Sequence, residues 1–489
     1  MTTITRIGKN MVFLVSGELI GKLLTLGFTI YAARYLHAEG FGIISFALAF
    51  NGLFVLFADI GFYELLIREV ARDKKIVGKY LGNVLTMKVF LVALLFGLMV
   101  LSINLLGYPP KTKLVVYVIG FALLLDAFTM LSNAIFQAFE KMQYLAIGKV
   151  LKNSVMLLGA FIAASSDMGI IAFALLYILG NSILFLYTAI ILLKKFTIPK
   201  FEFDRGLWIF LLTEGAPFWA SYIFIVIINQ VDQVMLSFMV GDSAVGIYTA
   251  AYKIVFTLNF IPLMFVSAIY PVTSKLFISS KESLKMVFER SFKYLLIAGM
   301  SLVVFLTFFG EEIICYVFGT EYLNSTECLY VLVWAQVFIF LNVTYTNLLK
   351  SIDRQRVILS VMIFVLILNV VMNFVLIPAF SYVGASYATL SARIFSFILF
   401  SFVILRSEYH FSRKTVKDFI KIMVFILVFW VSWLWFVDYE SILVIIYFVF
   451  SPFILLYSGI IDDLDKRVLS DLFSSFRSKL SNCGFNKQT

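Results

Sequence analysis

Apolar runs of about 20 residues, long enough to cross the hydrocarbon core of a bilayer as a helix, recur in this chain from residue 11 to residue 461. No other feature limits the fold as severely. In hydrocarbon every backbone N–H and C=O must find its partner within the protein, which leaves helices and closed barrels. Barrel strands read as alternating segments about half this length. The runs therefore predict an all-α integral membrane protein. The spans fall at 11–34, 41–65, 80–106, 114–138, 145–165, 168–193, 207–240, 245–275, 291–309, 328–349, 357–379, 382–405, 418–437 and 441–461, fourteen in all. Charged residues make up 14% of the 489 residues, against roughly 25% in soluble domains, so a string of soluble domains is excluded.

The connecting loops alternate in charge. The second carries Arg68, Arg72, Lys74, Lys75 and Lys79, and the sixth Lys194, Lys195, Lys200 and Arg205. The remaining even-numbered loops and both termini are also basic, whereas the odd-numbered ones offer only Arg34, Lys111 and Lys113. By the positive-inside rule both termini are cytoplasmic and the number of spans is even. The net charge of +10 is then directed at anionic membrane lipids and not at nucleic acid. Cys315, Cys328 and Cys483 have no CxxC spacing, and the two histidines, His37 and His410, lie in no metal motif. No nucleotide-binding glycine pattern is present. These absences predict no catalytic residue, no metal and no enzyme activity. The N-terminal run lacks a small-residue cleavage signature and reads as the first span.

One repeat is visible. Ala38–Ala47 can be laid on Asp242–Ala251 with an offset of 204 residues, equal to six spans. Six is even, so the repeat is parallel, which predicts two lobes with a cavity between them. The expected division is an N-terminal lobe at 1–200, a C-terminal lobe at 201–410, two appended helices at 411–465 and a cytoplasmic tail at 466–489.

Four stretches, in order, resemble the polysaccharide (Wzx-like) flippase family of the MATE/MurJ-like transporters. The first is Tyr35-Leu36-His37-Ala38-Glu39-Gly40-Phe41-Gly42 with Phe46-Ala47, against Y-L-G-P-E-G-F-G and F-A. The second is Asp59-Ile60-Gly61 with Arg68-Glu69-Val70-Ala71-Arg72. The third is Pro217, Asp232 and Val245 to Lys253. The fourth is Asn369, Asn373, Leu376-Ile377-Pro378, Gly384-Ala385 and Ala388-Thr389. Two departures stand out: His37-Ala38 replaces Gly-Pro, and Ser381 replaces the glycine usual after Pro378. Pro217 and Pro262 fall inside spans and are expected to kink them.

Charges at bilayer depth are costly and face a cavity or a partner. Glu18 and Lys22 form an i,i+4 pair. Lys22 is read either as a phosphate contact or as half of a self-neutralising pair. Asp232 and Lys253 form either a hairpin salt bridge or part of a ligand site, and the resemblance implies a cavity cation at Lys253. Arg393 has no acid nearby in its helix and is read as an anion contact. Lys88 is expected to snorkel outward. Glu18, Asp59, Asp126 and Asp232 are candidate ion-coupling residues, with helix-locking as the alternative for Asp59 and Asp126. Lys22, Lys253 and Arg393 are the candidate substrate-binding set.

The resemblance implies a transporter that flips a lipid-linked (polyprenyl diphosphate) oligosaccharide to the outer leaflet of the cell membrane, with no cofactor and with energy from an ion gradient (H⁺ or Na⁺), the membrane potential or downstream consumption of the product. Its implied partners are that lipid, membrane lipids and other glycan-assembly proteins. The alternatives are a MATE-type exporter of small molecules and, further away, a membrane polymerase or glycosyltransferase. The topology is testable on a cysteine-free background. A cysteine replacing Thr320 should react with an impermeant reagent from outside, and cysteines replacing Lys75 or Lys285 only from inside. Reversed labelling at any of the three breaks the arrangement.

Overall fold

A computed structural model describes residues 3–435 together with Asp462 and Asp465. All regular structure among them is helical. In chain order the helices are α1 (Thr3–Val55), α2 (Phe62–Arg72), α3 (Val77–Leu105), α4 (Pro110–Ala138), α5 (Met142–Ser165), α6 (Gly169–Lys195) and α7 (Arg205–Met239). They continue as α8 (Asp242–Thr257), α9 (Phe260–Ser279), α10 (Lys281–Val317), α11 (Ser325–Ser351), α12 (Gln355–Leu405) and α13 (Arg413–Trp435). Nine helical stretches of the described residues are long and apolar enough to cross a membrane. The fourteen predicted spans map onto fewer elements because α1 contains the first two and α12 the eleventh and twelfth. The last span, at 441–461, and the tail from 466 lie outside the described residues.

Both long helices break at the departures from the family pattern. His37 inside α1 has φ 60° and ψ 178°, and Ser381 inside α12 has φ 52° and ψ −131°. These backbone regions favour glycine, and a side chain there costs on the order of 1–3 kcal/mol. At His37 the strain is offset by Glu321, on the connection between α10 and α11. One carboxylate oxygen lies 2.5 Å from His37 Nδ1, and the other accepts the Ala38 N–H at 3.0 Å. Arg34 donates to the Val317 carbonyl at 2.9 Å and also to that of Tyr316. The Tyr322 hydroxyl donates to Ala33 O at 2.9 Å. This end of the molecule is thus tied across more than 280 residues of sequence.

Two further details follow from the backbone. The predicted eighth span is split at Leu258–Asn259 into α8 and α9. Pro262 has no N–H to give the Leu258 carbonyl, so the helix interrupts there. The predicted second span runs short: α1 ends at Val55, and α2 is an amphipathic helix instead of a continuation. Phe62, Leu65, Leu66 and Val70 are fully buried, at helical spacing on one face, while Arg68 and Arg72 bond Glu69 on the other.

The repeated segments pack against each other. A Cβ added to Gly42 would lie 1.7 Å from the Asp242 carbonyl oxygen, and one added to Gly246 would lie 2.0 Å from that of Ala38. Position 42 relates to 246, and 38 to 242, by the same 204-residue offset seen in the sequence. The contact is therefore reciprocal, as in a two-fold interface where each surface meets its own equivalent. Gly97, by contrast, has nothing within 4 Å of an added Cβ. Gly42→Ala should lower the melting temperature of the detergent-purified protein markedly. Gly97→Ala should leave it unchanged or add about 0.5–1 kcal/mol. Equal melting temperatures for the two variants would remove the steric reading of the seam.

Candidate functional site: a cationic central cavity

α1 brings Glu18 and Lys22 to one face, four residues apart. Lys22 Nζ stands 3.7 Å from Glu18. Glu18 also accepts from Lys149 of α5. These residues line a cavity of about 550 Å³ whose wall also holds Lys253 of α8, Asn229 of α7 and Arg393 of α12. A second cavity of about 520 Å³ adjoins it, sharing Glu18, Thr25, Thr29, Lys149 and Lys253. Its wall adds Asp126, Lys152 and Asn153. Together the two spaces carry five cationic side chains (Lys22, Lys149, Lys152, Lys253, Arg393) against two carboxylates (Glu18, Asp126).

The pairing inside this space is uneven. Lys22 and Lys149 share Glu18, and Lys152 lies 3.9 Å from Asp126. Among the described residues, neither Lys253 nor Arg393 forms a salt bridge. Arg393 donates from Nη2 to the Asn229 side-chain oxygen at 3.3 Å. A neutral amide leaves its charge uncompensated. Two uncompensated cations and a third half-shared one bounding one space attract an anion strongly, because charges interact more in low dielectric than in water.

The remaining predicted charges lie elsewhere. Lys88 does not snorkel outward. It is fully buried and meets Asp59 at 2.9 Å, and its α3 position is covered by packing from neighbouring helices. Asp59 also accepts the Tyr63 N–H at 3.1 Å, so it caps α2 while neutralising Lys88. Asp232 does not pair with Lys253. It is buried among neutral donors: Tyr248 Oη at 3.0 Å, Asn373 Nδ2 at 2.6 Å and Thr389 Oγ1 at 2.5 Å. Asn369 lies behind Asn373, whose Nδ2 reaches it at 3.3 Å. Of the four carboxylates proposed for ion coupling, Asp232 has no salt bridge among the described residues, and the other three do. Glu214, at the basic end, pairs with Arg68 at 3.1 Å.

Sequence reading missed Lys149, Lys152 and Asn229. The two lysines were counted with the basic fourth loop, although both fall inside the predicted span at 145–165 and share one side of α5 with Asn153. Asn229 precedes Asp232 by one helical step of three and carried no charge to flag it. A cluster at the basic end was also missed: Arg290, Lys293 and Tyr294 of α10 meet Asp465, and Arg290 and Lys414 meet Asp462.

The profile of the polysaccharide biosynthesis protein family matches residues 7–277, and the MatE profile matches 217–375. The chain is 23% identical over 378 residues to the probable low-salt glycan biosynthesis flippase Agl15 of Haloferax volcanii, covering 74% of this chain and 76% of that one. It is 22% identical over 432 residues to the capsular polysaccharide biosynthesis protein CapF of Staphylococcus aureus, covering 83% and 99%. An uncharacterized membrane protein of Methanocaldococcus jannaschii, MJ1068, is 26% identical over 197 residues, which is 40% of this chain and 39% of that one. In fold, the chain is similar to the lipid II flippase MurJ in an inward closed conformation, with TM-score 0.73 and 16% identity over 92% of this chain and all of that one. An inward-facing multidrug resistance MATE transporter superposes with TM-score 0.65 and 18% identity over 81% and 98%. With more than half of its length matched by one family profile, on an all-helical membrane fold of the MurJ and MATE type, the chain belongs to the polysaccharide biosynthesis protein family.

Proposed function

We propose that this protein flips a polyprenyl-diphosphate-linked oligosaccharide from the cytoplasmic to the outer leaflet of the cell membrane by alternating access. The observation that carries this reading is the shared cavity of Lys22, Lys253 and Arg393, two of which have no carboxylate partner among the described residues. A small organic cation, the usual cargo of a multidrug exporter, would be repelled there. A diphosphate suits it, and the guanidinium of Arg393 can grip phosphate with a fixed fork. The polar residues of the adjoining cavity give a sugar head a hydrated path past the hydrocarbon. The transfer breaks no bond, so the step needs binding and conformational change and no nucleophile.

In this reading the halves at 1–200 and 201–410 act as two lobes with the cavity between them, both termini lie in the cytoplasm, and residues 411–465 are appended. Asp232 is the proposed coupling site. A buried carboxylate held by the hydroxyls of Tyr248 and Thr389 and by Asn373, with Asn369 behind, offers oxygen ligands of the type hard cations take, or it exchanges a proton. Family relatives described as glycan and capsule biosynthesis proteins support the substrate class.

Two outcomes are expected in liposomes loaded with a fluorescent lipid-linked oligosaccharide. Lys253→Ala and Arg393→Ala should each slow flipping by roughly 5–150-fold, the equivalent of about 1–3 kcal/mol for one charged contact. Lys22→Ala should do less, because Glu18 already shares its charge, and Arg393→Lys should recover only part of the rate. Undiminished flipping in both alanine variants would remove Lys253 and Arg393 from the substrate site, and transport of cationic dyes in place of the lipid would replace the flippase with the exporter. Asp232→Asn should abolish whatever Na⁺ or pH dependence the wild-type rate shows. A dependence that survives the substitution would leave Asp232 as a helix lock.

A further inference from the structure

Arg393 stands at a junction. On one side is the central cavity. On the other is a chamber of about 400 Å³ between α7, α11 and α12, which shares Ile225, Ile339, Val343 and Arg393 with the cavity. Its two long walls differ in chemistry. On α11, Asn342, Thr346 and Lys350 follow one another at four-residue intervals, forming a polar rail on one helical face. On α12, Ile358, Leu359 and Met362 form an apolar wall opposite. Cations mark both ends, Arg393 at the junction and the exposed Lys350 at the basic end of α11.

The junction wall is also chemically incomplete. Asn342 donates to the Arg393 carbonyl at 3.2 Å and so fastens α11 to α12. Yet Asn342 Oδ1, Arg393 Nε and Ser396 Oγ are buried with no hydrogen-bond partner among the described residues. Each such group costs on the order of 1–3 kcal/mol, and buried polar groups in proteins are otherwise almost always paired. Three of them belong to residues that line one chamber, so this wall holds unused hydrogen-bonding capacity just beneath its surface. Arg393 and Ser396 are donors, which suits an oxyanion.

We propose that this chamber seats the apolar chain immediately next to the diphosphate of the carrier lipid, with Arg393 holding the phosphate at its mouth. The inference rests on the flippase reading and specifies where the lipid, as opposed to the sugar, is recognised. The division follows from the walls: the charged central cavity takes the glycan and diphosphate, and the Ile358–Leu359–Met362 wall takes the first prenyl units. The chamber is too small for a long polyprenyl chain, so the remainder lies in the bilayer. A prenyl diphosphate is the committed occupant, because an apolar branch joined directly to a doubly charged group matches an apolar wall that begins at a guanidinium.

The test uses the full-length protein in nanodiscs with farnesyl diphosphate and inorganic diphosphate as the main probes and geranylgeranyl diphosphate and phosphatidate for comparison. Burial of even a few methylenes should make the wild type bind farnesyl diphosphate at least about tenfold more tightly than inorganic diphosphate. Met362→Trp fills the chamber and should bring the two affinities to within about twofold, leaving inorganic diphosphate binding unchanged. Leu359→Ala enlarges it and should shift preference toward geranylgeranyl diphosphate. Unchanged inorganic diphosphate binding reports that each variant is folded. A farnesyl advantage that persists undiminished in both variants overturns the chamber while leaving the flippase reading intact. Phosphatidate competing as well as farnesyl diphosphate overturns the prenyl assignment. A wild type that binds neither probe overturns the flippase reading itself.

Discussion

A charge in hydrocarbon must be neutralised, hydrated or expelled, and the placement of the described ionisable side chains at bilayer depth follows from that cost. Lys88 illustrates the first solution. It is wholly buried and held by Asp59, an arrangement in which removing either partner strands the other. Glu18 illustrates a compromise, dividing itself between Lys22 and Lys149 at the edge of the central cavity. Lys253 and Arg393 break the pattern, because the chain provides no acid for either among the described residues. Their position on a cavity wall explains how they are tolerated, and the proposed function assigns them an anion.

The carboxylates divide along the same line. Asp59 and Asp126 answer lysines on neighbouring helices and so help to hold one half together. Asp232 answers only neutral groups contributed by α8 and α12. Helices from one half of the chain thus converge on a negative charge, while helices from both halves converge on a positive cavity. The helix α8 touches both environments, through Tyr248 and through Lys253.

Periodicity and length made the helices legible, because a run of apolar residues long enough to cross a bilayer has few other uses. The repeat was legible at Gly42 and Gly246, where the backbone approach that forbids a side chain also leaves a mark in the sequence. Partner choice was not legible. Nothing local distinguishes Lys88, locked inside the protein, from Lys253, which faces the cavity. The difference lies in Asp59, 29 residues away on the connection between α1 and α2. Lys149 and Lys152 were read as loop charges because the start of α5 is both basic and amphipathic, and a loop lysine and a cavity lysine have the same side chain. The breaks at His37 and Ser381 were signalled only indirectly, as positions where a glycine was expected and missing.

The seam between the repeated segments has one more consequence. At Gly42 and Gly246 carbonyl oxygens lie where side chains would otherwise begin, so main chain meets main chain with nothing flexible in between. Side chains in a packed interface can rotate and let two surfaces drift apart by degrees. Bare backbones have no such slack. Because the two contacts mirror one another, parting one parts the other, and the seam is either seated or released. An end of the molecule built this way has no side-chain slack with which to open by degrees.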